Sequence, residues 1–115
     1  MSRHHAIDYV ELTVTDLAAA RAFYGSVFGW GFQEWGSSYL AFEGAGLDGG
    51  ITLSDTPAPR CGALVIVYSE RLDDTRAAVV AAGGEITAEH VFPGGRRFHF
   101  LDPSGNELAV WTKVA

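Results

Sequence analysis

Cysteine is nearly absent from this sequence, which has a single thiol, Cys61, among 115 residues. One thiol cannot form an internal disulfide or a multi-thiolate metal site, so we interpret Cys61 as a small packing residue. No apolar run approaches the ~20 residues of a membrane-spanning helix. No apolar signal-peptide segment follows the N-terminus either. These absences predict a soluble, cytoplasmic protein.

Basic residues are also scarce. Eight Lys and Arg stand against fourteen Asp and Glu, which gives a net charge of −6. An acidic chain without a basic stripe repels a phosphate backbone, so we do not expect nucleic acid as a partner. Apolar residues make up 48% of the chain and charged residues 19%, proportions that exclude general disorder. At this length we expect one domain with a core of its own.

The hydrophobic pattern occurs twice along the chain, with an offset of about 55 residues. In each half, a strand with one apolar face precedes a helix, and three short strands follow. The first half has predicted strands at 7–14, 31–35, 39–43 and 50–54 and a helix at 17–28, with Asp16 as N-cap and Gly29 after the last turn. The second half has predicted strands at 63–68, 85–89, 96–101 and 107–112 and a helix at 69–82.

A proline-rich linker, residues 56–60, separates the two halves, because its prolines suit neither a helix nor a central strand. We therefore expect a single domain over residues 1–115, built from modules at about 6–55 and 61–113. The later segment DPSGN (102–106) looks like a catalytic motif, but its Pro, Gly and Asn are typical of a turn.

Three segments together resemble the vicinal oxygen chelate superfamily, which includes glyoxalase I, bleomycin-resistance proteins, fosfomycin-resistance enzymes and ring-cleaving dioxygenases. They are VELTVTDLAAARAFYGSVFGW (Val10–Trp30), AAGG (Ala81–Gly84) and FHFLDPSGNELAVW (Phe98–Trp111). The resemblance covers nearly the whole chain and is closest to small, single-domain glyoxalase-like proteins. It implies an α+β fold in which two paired βαβββ modules form a curved, mostly antiparallel sheet. Its concave face, the cup, would hold a ligand.

The resemblance also implies where an ion would bind, because metal-dependent members place one His or Glu ligand on each of four strands. Carried onto this sequence, the four positions hold Tyr9, Thr52, Leu64 and Ala109. Divalent ions of this kind need imidazole or carboxylate ligands, which this set does not supply. We therefore predict no metal and no other cofactor. Glu11 and Glu107 share the face of Tyr9 and Ala109, and they leave one route to a displaced metal site.

Strand parity places further side chains on the cup. In FHF (98–100) the phenylalanines should face the helix, so His99 and Arg97 should face the cup. There the two residues either contact a ligand, with His99 as an acid or base, or are simply solvated. Glu11 either meets a cationic ligand group or acts as a base, or it pairs with Arg97 or another cup residue. Trp111, on the same face of the last strand, should form an aromatic wall.

Our leading hypothesis is a metal-independent small-molecule-binding protein, similar to the drug-sequestering members, that forms a homodimer. We expect the ligand to contact Tyr9, Glu11, Thr52, Leu64, Arg97, His99, Ala109 and Trp111. One alternative is a glyoxalase-like lyase or isomerase in which Glu11 and His99, with Tyr9 as a further candidate, transfer protons without a metal. A second alternative, from another class, is an interaction module whose cup binds a protein partner.

Overall fold

The chain forms two helices and eight strands over the part that the computed structural model describes, which is residues 4–5, 7–56 and 64–114. The first half contains β1 (Tyr9–Val14), α1 (Leu17–Phe28), β2 (Gly31–Glu34), β3 (Tyr39–Glu43) and β4 (Asp48–Leu53). The second half contains β5 (Val65–Tyr68), α2 (Leu72–Ala81), β6 (Glu85–Phe92), β7 (Gly95–Leu101) and β8 (Glu107–Lys113). Within these residues, no helix has the length and hydropathy needed to cross a membrane.

The two halves share one topology. Their strand orders are β1-β4-β3-β2 and β5-β8-β7-β6, in two four-stranded sheets. In each sheet the first strand of the half pairs in parallel with the last, and the other pairs are antiparallel. This is the βαβββ arrangement used twice. The α+β class and the mostly antiparallel pairing expected from the sequence are confirmed.

The ends of the first helix follow the predicted capping chemistry. The Asp16 carboxylate accepts a hydrogen bond from the backbone N–H of Ala19 at 3.0 Å, and Gly29 follows the helix with φ 74°. The second helix begins at Leu72 instead of residue 69, because the Ser69 hydroxyl accepts from the backbone N–H of Arg71 outside the helix.

The limits of most strands also differ by one or more residues from those predicted. β1 begins at Tyr9, β4 begins at Asp48 instead of Gly50, and β6 continues to Phe92 because its hairpin with β7 extends that far. Most of the predicted linker 56–60 lies outside the described residues, as does Cys61.

Aromatic residues from both halves share one core between helices and sheets. Phe98 and Phe100 of β7 are 1% and 0% exposed, so the prediction that they face inward is confirmed. The Phe100 ring lies 5.9 Å from the ring of Phe23 on α1, centroid to centroid. The first helix therefore packs against a strand of the second half.

A buried hydrogen-bond network at the turn between β7 and β8 joins the halves. Oδ2 of Asp102 accepts from the hydroxyl of Tyr24 on α1 and from Nδ2 of Asn106, both at 2.9 Å. Oδ1 accepts from the backbone N–H groups of Ser104 and Asn106, also at 2.9 Å. Nδ2 of Asn106 donates in addition to the carbonyl of Thr13 on β1 at 2.8 Å. Burial, together with the Asp102 carboxylate, raises the pKa of the Tyr24 hydroxyl well above its usual value. The segment is a structural turn, as its sequence predicts.

Candidate functional site

Strand alternation gives each sheet one side that packs on the helices and one that points away from them. Leu12 and Val14 of β1 are buried in the core, whereas Glu11, directly before Leu12, is exposed. We call the outward side of the β1–β4 sheet the first face; it includes Tyr9, Glu11, Tyr39 and Thr52. The outward side of the β5–β8 sheet is the second face; it includes Ile66, Tyr68, His90, Phe92, Arg97, His99, Glu107, Ala109, Trp111 and Lys113.

Two tyrosines and a glutamate form the polar cluster of the first face. The Tyr39 hydroxyl donates to Oε2 of Glu11 at 2.9 Å. The Tyr9 hydroxyl lies 2.6 Å from that of Tyr39 and must donate to it, since the Tyr39 proton is already engaged. The pKa of Tyr39 is raised above its usual value. The largest cause is desolvation of the hydroxyl, and its hydrogen bonds to Tyr9 and Glu11 raise the pKa further. The cluster is thus a chain of hydrogen bonds that runs from Tyr9 through Tyr39 to the Glu11 carboxylate.

A glycine beneath Tyr39 makes this arrangement possible. A Cβ atom at Gly50 would lie 2.1 Å from the Tyr39 hydroxyl oxygen and 2.4 Å from Cζ. The phenol ring therefore lies flat across Gly50 and reaches Glu11 on the far strand. The sequence analysis did not include Tyr39 in the site. The available signal was its position directly opposite Thr52, a predicted site residue.

The register of the second sheet aligns its outward side chains in rows across the strands. One row contains Tyr68, Trp111, Arg97 and His90. The next contains Ile66, Ala109, His99 and Ala88. Four predicted site residues are therefore neighbours on this face: Arg97, His99, Ala109 and Trp111. Leu64, which precedes β5, is half-buried.

A histidine–carboxylate pair lies at the centre of the second face. Nδ1 of His99 is 3.1 Å from Oε2 of Glu107, and the His90 ring packs against the His99 ring edge-on at 5.3 Å. A carboxylate only accepts hydrogen bonds, so Nδ1 carries the proton, and Nε2 of a neutral ring holds a lone pair. His99 is 9% exposed, and its Nε2 is buried without a hydrogen-bond partner among the described residues. The hydrogen-bonding capacity of this atom is therefore unused among the described residues.

Arg97 contributes a second unsatisfied nitrogen to the same face. Its Nε is buried without a hydrogen-bond partner, and its guanidinium forms no ion pair, within residues 7–56 and 64–114. Of the partners that the sequence left open for Glu11, Arg97 or another cup residue, the structure shows the second kind. Glu11 and Arg97 lie on different sheets, and Glu11 accepts from Tyr39 instead.

Three aromatic rings border these polar groups. The Trp111 ring lies 5.1 Å from Tyr68 at 67° and 6.5 Å from Phe92, centroid to centroid. The Phe92 ring lies over Gly95, where a Cβ atom would approach it to 3.0 Å. Tyr68 and Phe92 are 42% and 36% exposed, so the wall has accessible ring surface. No hydrogen bond, ion pair or ring contact connects the first face to the second among the residues that the structure describes.

The donor set at the four positions implied by the resemblance does not fit a divalent ion. Tyr9 and Thr52 present hydroxyls, of which that of Tyr9 is bonded to Tyr39, while Leu64 and Ala109 present hydrocarbon. A displaced metal site that includes both Glu11 and Glu107 does not form in the described part of the chain. The two carboxylates lie on separate sheets, and no group of three or more His, Cys, Asp and Glu is placed to hold a metal there.

The fold and these motifs agree with a family-level comparison. A model of the Glyoxalase/Bleomycin resistance protein/Dioxygenase superfamily matches residues 6–110. The chain belongs to this superfamily. A search of curated proteins finds no match.

Solved structures with the same fold cover almost the entire chain. The fosfomycin resistance protein FosX from Listeria monocytogenes superposes with a TM-score of 0.82 at 23% identity, over 97% of this chain and 96% of that one. A superfamily enzyme from Burkholderia phytofirmans PsJN gives 0.79 at 20% identity, over 93% and 98%. Lactoylglutathione lyase from Agrobacterium tumefaciens gives 0.72 at 25% identity, over 96% and 95%. A FosX variant was crystallised with Mn(II) and 1S,2S-dihydroxypropylphosphonic acid.

Proposed function

We propose that this chain is a metal-independent small-molecule-binding protein that holds its ligand on the second face. One observation carries the proposal: the buried, unpartnered Nε2 of His99 lies beside a partly exposed wall of aromatic rings. A buried polar atom without a partner costs ~1–3 kcal/mol, which a bound ligand group recovers. Small-molecule sites are typically lined by aromatic and other apolar side chains, with a small number of polar groups that point at the ligand.

Metal independence is supported by the chemistry of the second face. Ala109, the position implied for a ligand on β8, is fully buried between Ile66 and His99 and offers no donor atom. The carboxylate nearest to it, Glu107, is engaged by His99. A ligand on this face therefore meets hydrogen-bonding groups and rings instead of an ion.

The homodimer expected from the sequence remains part of the proposal. Each chain has two outward faces, and no described contact joins them. A second copy could place another face over the same ligand. The oligomeric state in solution, measured by light scattering, tests this part. The cytoplasmic location stays a prediction.

A glyoxalase-like lyase or isomerase is a second candidate, favoured by the His99–Glu107 pair. A histidine oriented by a carboxylate, with its other nitrogen free, has the arrangement of a general base. The base would take a proton from a carbon next to a carbonyl and return it to a neighbouring atom. Glu11, in contrast, lies on the other sheet, so the two predicted acid–base residues do not act on one atom within a chain.

A thermal-shift experiment tests the binding proposal. A ligand at ten times its Kd should stabilise the protein by about 1.4 kcal/mol, which raises the melting temperature by roughly 5 °C for a chain of this size. We expect at least one class of small aromatic compound to produce this shift, and Trp111→Ala to abolish it. Trp35→Ala is the matched control, because Trp35 is 60% exposed and lies beyond β2.

Three outcomes would count against the proposal. A stoichiometric divalent ion that survives dialysis and stabilises the protein would contradict metal independence. A shift that persists in Trp111→Ala would place the ligand elsewhere. No response to any compound, with capture of a protein partner, would favour the interaction module. Turnover that is lost in His99→Gln would instead support the isomerase.

A further inference from the structure

Building on the proposed binding function, we propose that the ligand of the second face is a small aryl carboxylate. Its flat ring would lie against Trp111, and its carboxylate would meet Arg97. Three features of the second face support this ligand. They are the Arg97 guanidinium, which has no partner among the described residues, the positive charge around it, and the aromatic wall beside it.

Arg97 differs from its sequence neighbour Arg96 because it has no hydrogen-bond or ion-pair partner among the described residues. Arg96 points to the opposite side of β7 and forms two hydrogen bonds to Asp73, at 2.9 and 3.3 Å. Arg97 lies between Trp111 and His90 in its row, with a buried Nε that no described residue satisfies. A guanidinium presents a planar fork of donors that matches a carboxylate. A ligand carboxylate is thus the group that completes this site.

Local charge favours an anion on this face, although the whole chain is acidic. On the second face, the basic residues Arg97 and Lys113 lie towards the Gly95 end of β7. The acidic residues Glu85 and Glu107 lie at the Leu101 end, and Glu107 is paired with His99. Glu11 on the first face accepts from Tyr39 and has no ion pair among the described residues. An anionic ligand is therefore attracted to the Arg97 end of the second face and repelled by Glu11 on the first.

The aromatic wall selects a flat group next to the carboxylate. Arg97 is directly opposite Trp111, so a carboxylate on the guanidinium brings the attached ring over the wall. Trp111 meets Tyr68 edge-on at 67°, which leaves ring surface open for an offset stack.

His99 supplies the second polar contact. Arg97 and His99 are two residues apart on β7, about 7 Å along the strand. That distance is comparable to the length of one ring with its substituent. Nε2 accepts from a ligand hydroxyl or amide when the imidazole is neutral, and it donates when the imidazole is protonated.

A matched series of naphthalene compounds tests the inference. Calorimetric titration of the intact protein with 2-naphthoate, 2-naphthamide and 2-naphthylmethylamine keeps the ring system constant and changes the substituent from an anion to a neutral group and a cation. We expect 2-naphthoate to bind at least tenfold more tightly than the other two. Arg97→Gln should remove this preference, Arg97→Lys should keep part of it, and Arg96→Gln should leave the affinity within twofold. Melting curves of each variant verify folding.

The possible failures are distinguishable. If all three compounds bind equally, and all binding is lost in Trp111→Ala, the carboxylate inference is overturned and the binding function stands. Tighter binding of the amine has the same consequence. If no aromatic compound binds or stabilises the protein, the proposed function itself fails. If 2-naphthoate does not bind and Arg97→Gln dissociates a dimer, the face belongs to a second copy of the chain, which also overturns the inference.

Discussion

Replacing Asp102 with alanine should destabilise the protein more than any single surface change, because this carboxylate connects both halves. Its two oxygens accept four hydrogen bonds, from the Tyr24 hydroxyl, the Ser104 and Asn106 backbone and the Asn106 side chain. Through Tyr24 and Asn106 it ties the turn of the second sheet to α1 and β1. Its removal leaves these donors in place without their acceptor.

The magnitude follows from the burial of those donors. Tyr24 is 0% exposed and Asn106 is 8% exposed, so water does not replace the lost acceptor at either residue. Each buried unsatisfied donor costs about 1–3 kcal/mol, so Asp102→Ala should lower the free energy of unfolding by roughly 4 kcal/mol. Tyr24→Phe removes only one donor to a charged group and should cost about 2 kcal/mol. Against a typical total of 5–15 kcal/mol, the larger loss approaches unfolding at physiological temperature.

Urea denaturation followed by tryptophan fluorescence provides the assay. The Trp30 ring stacks on Tyr24 with centroids 5.0 Å apart and an interplanar angle of 6°, so it reports directly on this region. Asp73→Ala is the control. Its carboxylate pairs with Arg96 on the surface with 78% exposure, and its loss should leave the midpoint nearly unchanged. A change in unfolding free energy for Asp102→Ala below about 1 kcal/mol, or equal to that for Asp73→Ala, would refute the role of the network.

Two further predictions concern the tyrosines. Gly50→Ala should displace the Tyr39 ring, since the new Cβ would lie 2.1 Å from its hydroxyl oxygen. We expect a loss of roughly 1–2 kcal/mol in urea denaturation and a lower pKa for Tyr39 by ultraviolet titration; an unchanged titration would contradict the packing described. The raised pKa of Tyr24 predicts alkaline sensitivity: below about pH 10 both the folded and unfolded states keep the proton, and above it only the folded state does. Stability should therefore fall as pH rises beyond about 10, and the fall should be shallower in Tyr24→Phe. Parallel curves for the two proteins would contradict this assignment.

Local patterns were sufficient to locate every helix and strand of the described chain. Alternation, the Asp16 cap and the glycine after α1 all report interactions within a few residues. The start of β4 was missed because Gly49 looks like the end of a glycine-rich turn, although Gly50 lies in the predicted strand. They are glycines for a tertiary reason: a Cβ at Gly49 would lie 2.2 Å from the Phe42 ring, and one at Gly50 would strike Tyr39. Ring placement across a sheet is not encoded in short-range patterns.

Parity also explains which part of the site was predictable. It placed Arg97, His99 and Trp111 on one side of adjacent strands, because alternation fixes the direction of each side chain. It did not identify Tyr39 or the partner of Glu11, since that contact depends on the register of β1, β3 and β4. Parity left both Arg97 and other outward residues open as partners of Glu11, and the choice of Tyr39 follows from the pairing of β1, β3 and β4 in one sheet.

Both faces place a polar ring directly across from a position that the superfamily resemblance implies for a metal ligand. Tyr39 is opposite Thr52, and His99 is opposite Ala109. Adjacent strands are ~4.8 Å apart, so these rings project over the same part of the sheet from one strand away. Each ring donates to a carboxylate of its own face, Glu11 or Glu107. An ion needs several such oxygens and nitrogens to converge within ~2.0–2.6 Å, whereas these pairs satisfy one another. Among the described residues, the buried side-chain polar atoms without a hydrogen-bond partner are Nε2 of His99 and Nε of Arg97, and their chemistry suits an organic ligand better than an ion.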